Sequence, residues 1–348
     1  MNPDWQAFLS RHGASFNNTP RATFSSPYEG ESKAHLFDLS WRSLIRVSGD
    51  DAQSFLHGQF SNDLHRLDGS NSQLSSYSTP KGRVLALFRI MRLGEDYYLD
   101  LPAELGDAFV KRLQMFVMRA KVVIESLAET HIGIGLSGEA AAGLLESAGL
   151  DVPPAVNACR ESRSRDCIVC RVPGVVPRFV VFAPLTAAEA LWDELAATAI
   201  PASTNFWILQ QIDAGQPEIY SETRESFVAQ MINLQLIDGV NFKKGCYPGQ
   251  EVIARLQYLG KLKRRMYRLE ADAAECSPAT PVFAEGSDEP AGEIVDSALN
   301  PQGRLHVLAV LKSDLVTQDA GLHLGEPDGP ALRRLDLPYS LDEEAQAD

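Results

Sequence analysis

The hydrophobic pattern of this chain changes character at Met266, and that change limits the folds it can adopt. Before Met266, short strand patterns are interrupted by helix patterns, without the regular alternation of a doubly wound sheet. After it, short strand patterns are separated only by turns rich in Gly, Pro and Asp, which is typical of a small antiparallel barrel. The sequence therefore predicts an α+β protein with mixed units followed by a barrel.

The chain is long enough for more than one core. At roughly 150 residues per domain, 348 residues correspond to two or three domains. The changes of pattern predict five segments: an N-terminal extension (1–33), a first α+β unit (34–130), a second α+β unit (131–256), a β-barrel (257–340) and an acidic tail (341–348).

Composition excludes several classes of protein. Hydrophobic residues make up 45% of the chain and charged residues 22%, which are globular values and exclude a mainly disordered or collagen-like protein. The sequence has no apolar run long enough to cross a membrane and no signal-peptide pattern at its start. Five cysteines are too few for a disulfide scaffold and are odd in number. We therefore expect a cytoplasmic protein with no membrane partner.

Charge is distributed unevenly along the chain. The formal net charge is −14, which argues against a general nucleic-acid binder. Residues 243–268, here called the basic segment, nevertheless hold eight lysines and arginines and only one acid, Glu251. The basic segment could bind an anionic ligand or an acidic partner surface. An equally good interpretation is that it forms a positive face exposed to solvent, with no ligand.

A glycine motif in the second unit resembles a dinucleotide-binding loop. Gly133, Gly135 and Gly138 match G-x-G-x-x-G ahead of a helix pattern. A dinucleotide site needs a buried hydrophobic strand before the first glycine, and Ala-Glu-Thr-His-Ile is a poor one. Ile132, Ile134 and Leu136 instead alternate with the glycines at strand spacing. The motif therefore predicts a strand and no dinucleotide site.

A cysteine pair in the same unit has the spacing of a zinc motif. Cys167 and Cys170 form C-x-x-C, but no second pair of matching spacing exists to complete four ligands. On a strand, residues three apart point to opposite faces, so the two thiols would not converge. Buried strand cysteines are the better interpretation, and the scattered histidines show no metal-binding spacing either. We predict no metal site.

The most informative segment is the loop Lys243-Lys-Gly-Cys-Tyr-Pro-Gly-Gln-Glu251. Gly245 and the Pro-Gly turn permit a tight backbone, so Cys246 is expected to project from a loop. Lys243 and Lys244 lie just upstream, where positive charge favours the thiolate form of a cysteine. A structural turn with an incidental cysteine is the alternative. The density of special residues favours a functional thiol, with Lys244 as a second candidate catalytic residue of uncertain role.

This loop resembles the K-G-C-Y-x-G-Q-E signature of the YgfZ family, the folate-binding branch of the superfamily that contains the glycine-cleavage aminomethyltransferases. Weaker similarities cover residues 34–335. They comprise Gly58-Gln-Phe-Ser-Asn-Asp63, Pro80-Lys-Gly-Arg83, Trp207 with Ile212-Asp-Ala-Gly-Gln-Pro217, Gln230-Met-Ile-Asn-Leu234 and Ala291-Gly-Glu-Ile-Val-Asp-Ser297. Several positions depart from the family pattern, including Asp213, where the family has glutamate.

The resemblance implies a fold and a cofactor. The fold would be a three-part ring of two ferredoxin-like α+β units plus a small C-terminal antiparallel β-barrel, with tetrahydrofolate or a derivative in a central channel. Trp207 would form an aromatic wall for the pterin and Asp213 would face its amino-pyrimidine edge, with core packing as the alternative for Trp207. The other implied cofactor-binding residues are Gln59, Lys81, Gln230, Asn233, Tyr247, Glu251 and Arg255.

The resemblance also implies a function. Family members take part in the folate-dependent assembly or repair of iron–sulfur clusters in specific enzymes, including enzymes that modify tRNA. Aminomethyltransferases carry an acidic pair just after the turn that matches Pro80-Lys-Gly-Arg83, whereas this chain continues with Val84, Leu85 and Ala86. No carboxylate is available there for acid–base work. We therefore expect a folate-binding partner of iron–sulfur client enzymes that is not a classical aminomethyltransferase.

Two other functions remain open from the sequence. The chain could be a folate-dependent one-carbon (aminomethyl) transferase that uses another base, against which the missing acids count. It could also be a tRNA-binding regulatory module that uses the basic segment, against which the acidic remainder counts. Formation of methylenetetrahydrofolate would favour the transferase, and salt-dependent tRNA binding would favour the module.

Overall fold

The structure, a computed structural model, describes residues 1–17, 19–25, 33–260 and 262–341. Most of the predicted acidic tail and Lys261 of the basic segment lie outside the described residues.

The described chain mixes helices and strands, as predicted. The helices are α1 Pro3–Arg11, α2 Ala52–His57, α3 Ala103–Val117, α4 Ala141–Ser147, α5 Leu185–Ala196, α6 Thr204–Asp213, α7 Gln250–Tyr258 and α8 Ser313–Thr317. The strands before Met266 are β1 His35–Asp38, β2 Arg42–Ser48, β3 Ser72–Ser78, β4 Val84–Leu93, β5 Asp96–Pro102, β6 Val123–Ser126, β7 His131–Ser137, β8 Cys159–Ser162, β9 Cys167–Val172, β10 Arg178–Pro184 and β11 Ile200–Ala202. The later strands, of which the first includes Met266, are β12 Arg264–Ala271, β13 Pro281–Ala284, β14 Pro290–Leu299, β15 Leu305–Lys312, β16 Leu322–Leu324 and β17 Ala331–Leu335.

The strands form two open sheets and a closed barrel. One sheet has the order β3-β4-β5-β2-β6 and the other the order β11-β1-β7-β10-β9-β8. The barrel has the order β12-β15-β14-β13-β16-β17, and pairing of β12 with β17 closes it. Every barrel pair is antiparallel. The predicted α+β class and the antiparallel C-terminal barrel are therefore confirmed.

Contacts divide the chain into two compact units that are not continuous in sequence. The first comprises Met1–Leu56, Leu64–Gln73 and Phe88–Trp207, and the second comprises His57–Asp63, Leu74–Leu87 and Ile208–Asp348. The first unit has a core in which Trp5 of α1 packs edge-on against Trp192 of α5, 5.7 Å between ring centroids. The second contains the barrel, whose interior is lined by small and branched apolar residues such as Val282, Ile294 and Val307.

The motifs set aside in the sequence are parts of strands. Gly133 and Gly135 lie within β7, where a Cβ at Gly135 would stand only 2.9 Å from the Trp207 ring. Gly135 is thus needed for close side-chain packing, and no dinucleotide loop forms. Cys167 belongs to the hydrophobic core of the first unit, whereas the Cys170 thiol contacts Met91 instead. The two cysteines therefore face opposite sides of β9, as predicted.

None of the described helices is both long and apolar enough to cross a bilayer.

Candidate functional site

The segment that follows α2 forms the base of the candidate site in the second unit. The Ser61 hydroxyl donates to the Gly239 carbonyl (2.8 Å), and the Asn62 side-chain amide donates to the carbonyls of Leu74 (2.8 Å) and Asp238 (2.6 Å). The Asn241 amide in turn donates to the Ser61 carbonyl at 3.0 Å. These bonds fix residues 58–63 against the chain that leads into the cysteine loop.

Lys244 ties the cysteine loop to this base. Its ammonium donates to the backbone carbonyls of His57 and Phe60 and lies 4.8 Å from the centre of the Tyr247 ring. The side chain is almost fully buried, at 8% exposed. Burial lowers the pKa of Lys244 from 10.5 to about 8, although the nearby Asp63 carboxylate opposes that shift. Lys244 thus acts on the backbone, where a neutral amine could still donate two hydrogen bonds.

The pKa of Lys244 predicts a stability that depends on pH. Below about pH 8 the Lys244 amine of the folded protein is protonated and carries a buried charge. Between about pH 8 and pH 10.5 Lys244 is still protonated in the unfolded chain but has lost its proton in the folded protein. The free energy of unfolding of the wild type should therefore rise with pH, relative to Lys244→Met, by up to about 3 kcal/mol across this range. Urea unfolding of both proteins across these pH values measures it.

The comparison with Lys244→Met cancels titrations that the two proteins share. Tyr247, which contacts Lys244, stays neutral in this range because burial raises the pKa of its phenol. If the difference in unfolding free energy between the wild type and Lys244→Met does not change with pH, the Lys244 amine is accessible to water and its pKa is the same in the folded and unfolded states.

A second contact holds the loop from the other side. Gly249 has φ +84° and lies against the turn at Thr79–Gly82, so that a Cβ there would stand 2.6 Å from the Thr79 carbonyl oxygen and 2.7 Å from Gly82 Cα. Gly82 itself has φ +73°. Two glycines thus let two backbones meet where no other residue would fit. The turn that carries the exposed Lys81 therefore packs directly on the Pro-Gly turn of the cysteine loop.

Cys246 lies between these two anchors and is exposed, as predicted. The loop around it is closed by the Gln250 side-chain amide, which donates to the Lys244 carbonyl at 3.2 Å. Gly249 then begins α7, which presents Glu251 and Arg255 as exposed side chains one turn apart. The fold therefore displays a thiol on a rigidly attached loop, beside exposed groups of both signs.

Four predicted cofactor-binding residues carry buried polar atoms without a hydrogen-bond partner among the described residues. They are the side-chain oxygens of Gln59, Gln230, Asn233 and Tyr247. The opposite ends of two of these amides are fixed, because Gln230 Nε2 donates to the Ile253 carbonyl (2.6 Å) and Asn233 Nδ2 to that of Met266 (2.9 Å). Buried polar groups normally have partners. Each of these oxygens could accept a hydrogen bond from an N–H donor.

Asp213, predicted to face the pterin edge, is engaged by an arginine and a histidine of the barrel. Its Oδ1 lies 2.8 Å from Arg268 Nη2 and 3.2 Å from His306 Nδ1. His306 Nε2 in turn lies 3.7 Å from a Glu270 oxygen. The carboxylate therefore links α6 to β12 and β15, and its role toward a ligand stays a prediction.

Trp207, predicted as the aromatic wall, is buried in the first unit. It is 2% exposed, and the Arg178 guanidinium lies over its ring at 4.0 Å from the centroid. Arg178 also donates to the Trp207 carbonyl at 3.1 Å. Trp207 and Asp213 are six positions apart on α6, so the two side chains leave the helix about 120° apart. Arg178 thus covers one face of this indole, and the role of Trp207 toward a pterin stays a prediction.

Sequence reasoning did not find the groups that receive Lys244, because they are backbone carbonyls of His57 and Phe60, far away along the chain. It also missed Arg178, a fully buried cation over the Trp207 ring. A single arginine at the start of an apolar strand gives no signal of this kind. The glycine of the Pro-Lys-Gly-Arg turn was visible, but its contact with the cysteine loop was not.

Comparison with known proteins places these features in a family. The chain is 30% identical over 285 residues to the tRNA-modifying protein YgfZ of Colwellia psychrerythraea, covering 81% of this chain and 86% of the relative. It is 29% identical over 317 residues to the Serratia proteamaculans protein of the same name, covering 89% and 93%. No protein-family model matches the chain.

Solved structures agree with the fold. The aminomethyltransferase T of the Bartonella henselae glycine cleavage system superposes with a TM-score of 0.81 over 97% of both chains, at 18% sequence identity. That similarity establishes a shared fold, while the sequence relatives establish membership. The predicted resemblance is confirmed: this chain belongs to the YgfZ family.

Proposed function

We propose that this protein binds tetrahydrofolate or a derivative and assists the assembly or repair of iron–sulfur clusters in specific enzymes, with Cys246 as its reactive group. The observation that carries the proposal is the display of Cys246, which is exposed between the buried Lys244 anchor and the Gly249 contact. A thiol held on a fixed loop can meet a partner or a cluster without first ordering its own backbone. The relatives are named tRNA-modifying proteins, which supports a connection with tRNA modification.

The unfilled oxygens of the second unit support the folate part of the proposal. Gln59, Gln230, Asn233 and Tyr247 would accept hydrogen bonds from the donors of the pterin ring. The exposed Lys81 and Arg255 would attract the carboxylates of the folate tail. The protein's own contribution is thus to bind and orient the folate, which supplies one-carbon chemistry when bound.

Removing one of these acceptors should weaken folate binding. Gln230→Met keeps the length of the side chain but loses the carbonyl oxygen and also the Nε2 donor to the Ile253 carbonyl. In a variant whose unfolding transition shows that it is folded, we expect the Kd for tetrahydrofolate to rise about 10-fold. Calorimetric titration under anaerobic conditions measures it. Gln257→Met on α7 is the matched control and should bind as the wild type does. Equal affinities of the Gln230 and Gln257 variants would contradict this placement of the ligand.

The predicted stacking on Trp207 has its own test. Trp207→Ala should weaken tetrahydrofolate binding by about 1–3 kcal/mol if the indole contacts the pterin. Because Trp207 is buried, folding of the variant is first checked by its unfolding transition, and Trp207→Phe retains an aromatic ring for comparison. Wild-type affinity in a folded Trp207→Ala protein would assign the indole to core packing beneath Arg178.

A tRNA-binding role is a second candidate, although we do not favour it. The described part of the basic segment presents Lys243, Arg255 and Lys263 as exposed cations, and Tyr258 is 62% exposed on the same helix as Arg255. Exposed aromatic and basic groups are typical of surfaces that bind single-stranded RNA. Binding of tRNA that weakens steeply with salt would support this role. The net charge of −14 opposes it.

A further inference from the structure

Two cysteines of the first unit face each other across neighbouring antiparallel strands. Cys159 of β8 lies directly opposite Cys170 of β9. The Cys159 amide donates away from β9, to the Ser70 carbonyl at 2.9 Å, while the Arg171 amide donates to the Ala158 carbonyl at 3.0 Å. The two cysteines therefore form a non-hydrogen-bonded pair, in which the Cα atoms are about 4.5 Å apart. That separation lies within the range that a disulfide spans.

The two thiols already interact. The Cys159 thiol donates to the Asn71 carbonyl at 3.1 Å. Interaction with the Cys170 thiol lowers the pKa of Cys159, although burial opposes that shift, and the same interaction together with burial raises the pKa of Cys170. Cys170 Sγ also lies 3.4 Å from the sulfur of Met91. Both cysteines are fully buried. The facing register therefore sets a sulfur whose pKa is lowered opposite a second thiol on the neighbouring strand, and these are the two groups that disulfide formation requires.

A buried cation accompanies the pair. The Arg89 guanidinium is almost fully buried and donates to the Ser72 hydroxyl (3.0 Å) and the Asn157 side-chain oxygen (2.7 Å), both neutral groups. Its charge favours the thiolate form of Cys159. A thiolate next to Arg89 would in turn partly neutralise a charge that is removed from water.

We propose that Cys159 and Cys170 are a redox dithiol that hydrogen peroxide converts into a disulfide joining β8 to β9. The Cys159 thiolate attacks one peroxide oxygen, the O–O bond breaks, and the departing hydroxide takes a proton to become water. The sulfur of Cys170 then attacks the resulting sulfenic acid, the S–S bond forms, and a second water leaves with the proton of Cys170. Two thiols are oxidised, and one peroxide is reduced to two waters.

The position of Cys159 gives the oxidant a route. β8 has four residues and is the outermost strand of its sheet, and its outer side is held by an isolated bridge between Ala158 and Asn71 and by the bond from the Cys159 amide to Ser70. Short edge strands open locally without unfolding the domain. Peroxide is small enough to use such an opening, whereas the closed strand protects the pair from bulkier reagents. The bond would then fasten this edge strand to its neighbour.

The test treats the full-length native protein with hydrogen peroxide, quenches with an alkylating reagent and maps the peptides by mass spectrometry. A Cys246→Ser background prevents links between molecules. We expect one peptide pair, containing Cys159 and Cys170, to lose the mass of two hydrogen atoms and to revert with dithiothreitol. Cys167→Ala should form the same link, whereas Cys159→Ala should form none.

Two results would overturn the proposal. The first is that Cys159 and Cys170 both remain alkylatable after denaturation, under peroxide conditions that oxidise Cys246 in the otherwise unchanged protein. The second is a link that joins either cysteine to Cys167 or Cys276, or oxidation of Met91 in place of the pair. The protein with native Cys159 and Cys170 decides both results, so the test stands even where a cysteine variant folds poorly.

Discussion

Cys246 is expected to react with iodoacetamide at neutral pH at least about 100-fold faster than Cys167 in the native protein. Cys246 is exposed on its loop, whereas Cys167 is 1% exposed in the core of the first unit. Burial also raises the pKa of the Cys167 thiol to about 11, so that very little of it is thiolate at neutral pH. Peptide mapping over time measures both rates in one sample.

A matched variant connects this reactivity to the loop. Cys246→Ser preserves the size of the side chain and should remove the fast phase of labelling. Tetrahydrofolate affinity should be retained, because the polar atoms that we assign to folate belong to other residues. Labelling of Cys167 or Cys276 before Cys246 would contradict the exposure of the Cys246 thiol. Loss of folate binding in Cys246→Ser would place Cys246 in the folate site.

The second large effect is an absence of activity. Supplied with tetrahydrofolate and an aminomethylated carrier protein, this protein should form no methylenetetrahydrofolate at rates near about 10 per second, the median for enzymes. The start of β4, where the transferases carry acids, holds Leu85 and Ala86, and both are buried. General acid–base catalysis contributes about 100- to 10,000-fold, so its loss leaves little turnover.

A glycine-cleavage aminomethyltransferase assayed in parallel is the control for this prediction, because the solved one from Bartonella henselae has the same fold. Turnover of this protein at a rate comparable to the control would show that another residue serves as the base. The one-carbon transferase alternative would then replace the proposed function.

The barrel and the exposure of Cys246 could be predicted from local sequence. The barrel strands β13 and β17 fit the predicted pattern of short strands, because turns with Gly, Pro and Asp limit both of them. Cys246 is exposed because Gly245 and the Pro-Gly turn keep the loop out of regular structure. These are properties of neighbouring residues, which a sequence shows directly.

The role of Lys244 could not be predicted in the same way. Its position two residues before Cys246 suggested that its charge acts on the thiol. In the structure the ammonium is buried and donates to the carbonyls of His57 and Phe60, which lie almost 190 residues earlier in the chain. A buried donor requires acceptors, and the fold brings them together over a distance that no local pattern reveals.

Asp213 and Trp207 show the same limit. The partners of Asp213 are Arg268 and His306, which belong to strands about 50 or more residues later in the sequence. The ring of Trp207 meets Arg178, for which no motif exists. Conversely, the glycines of β7 suggested a cofactor loop by spacing alone, and their strand periodicity gave the correct interpretation.

The most direct test of the proposed function is the activity of an iron–sulfur tRNA-modifying enzyme in a strain whose gene for this protein has been deleted. The modified fraction of its tRNA, measured by mass spectrometry, should return to normal with the wild type and with the Cys167→Ser control. It should remain low with Cys246→Ser expressed at the same level. Full restoration by Cys246→Ser would contradict a chemical role for the loop thiol.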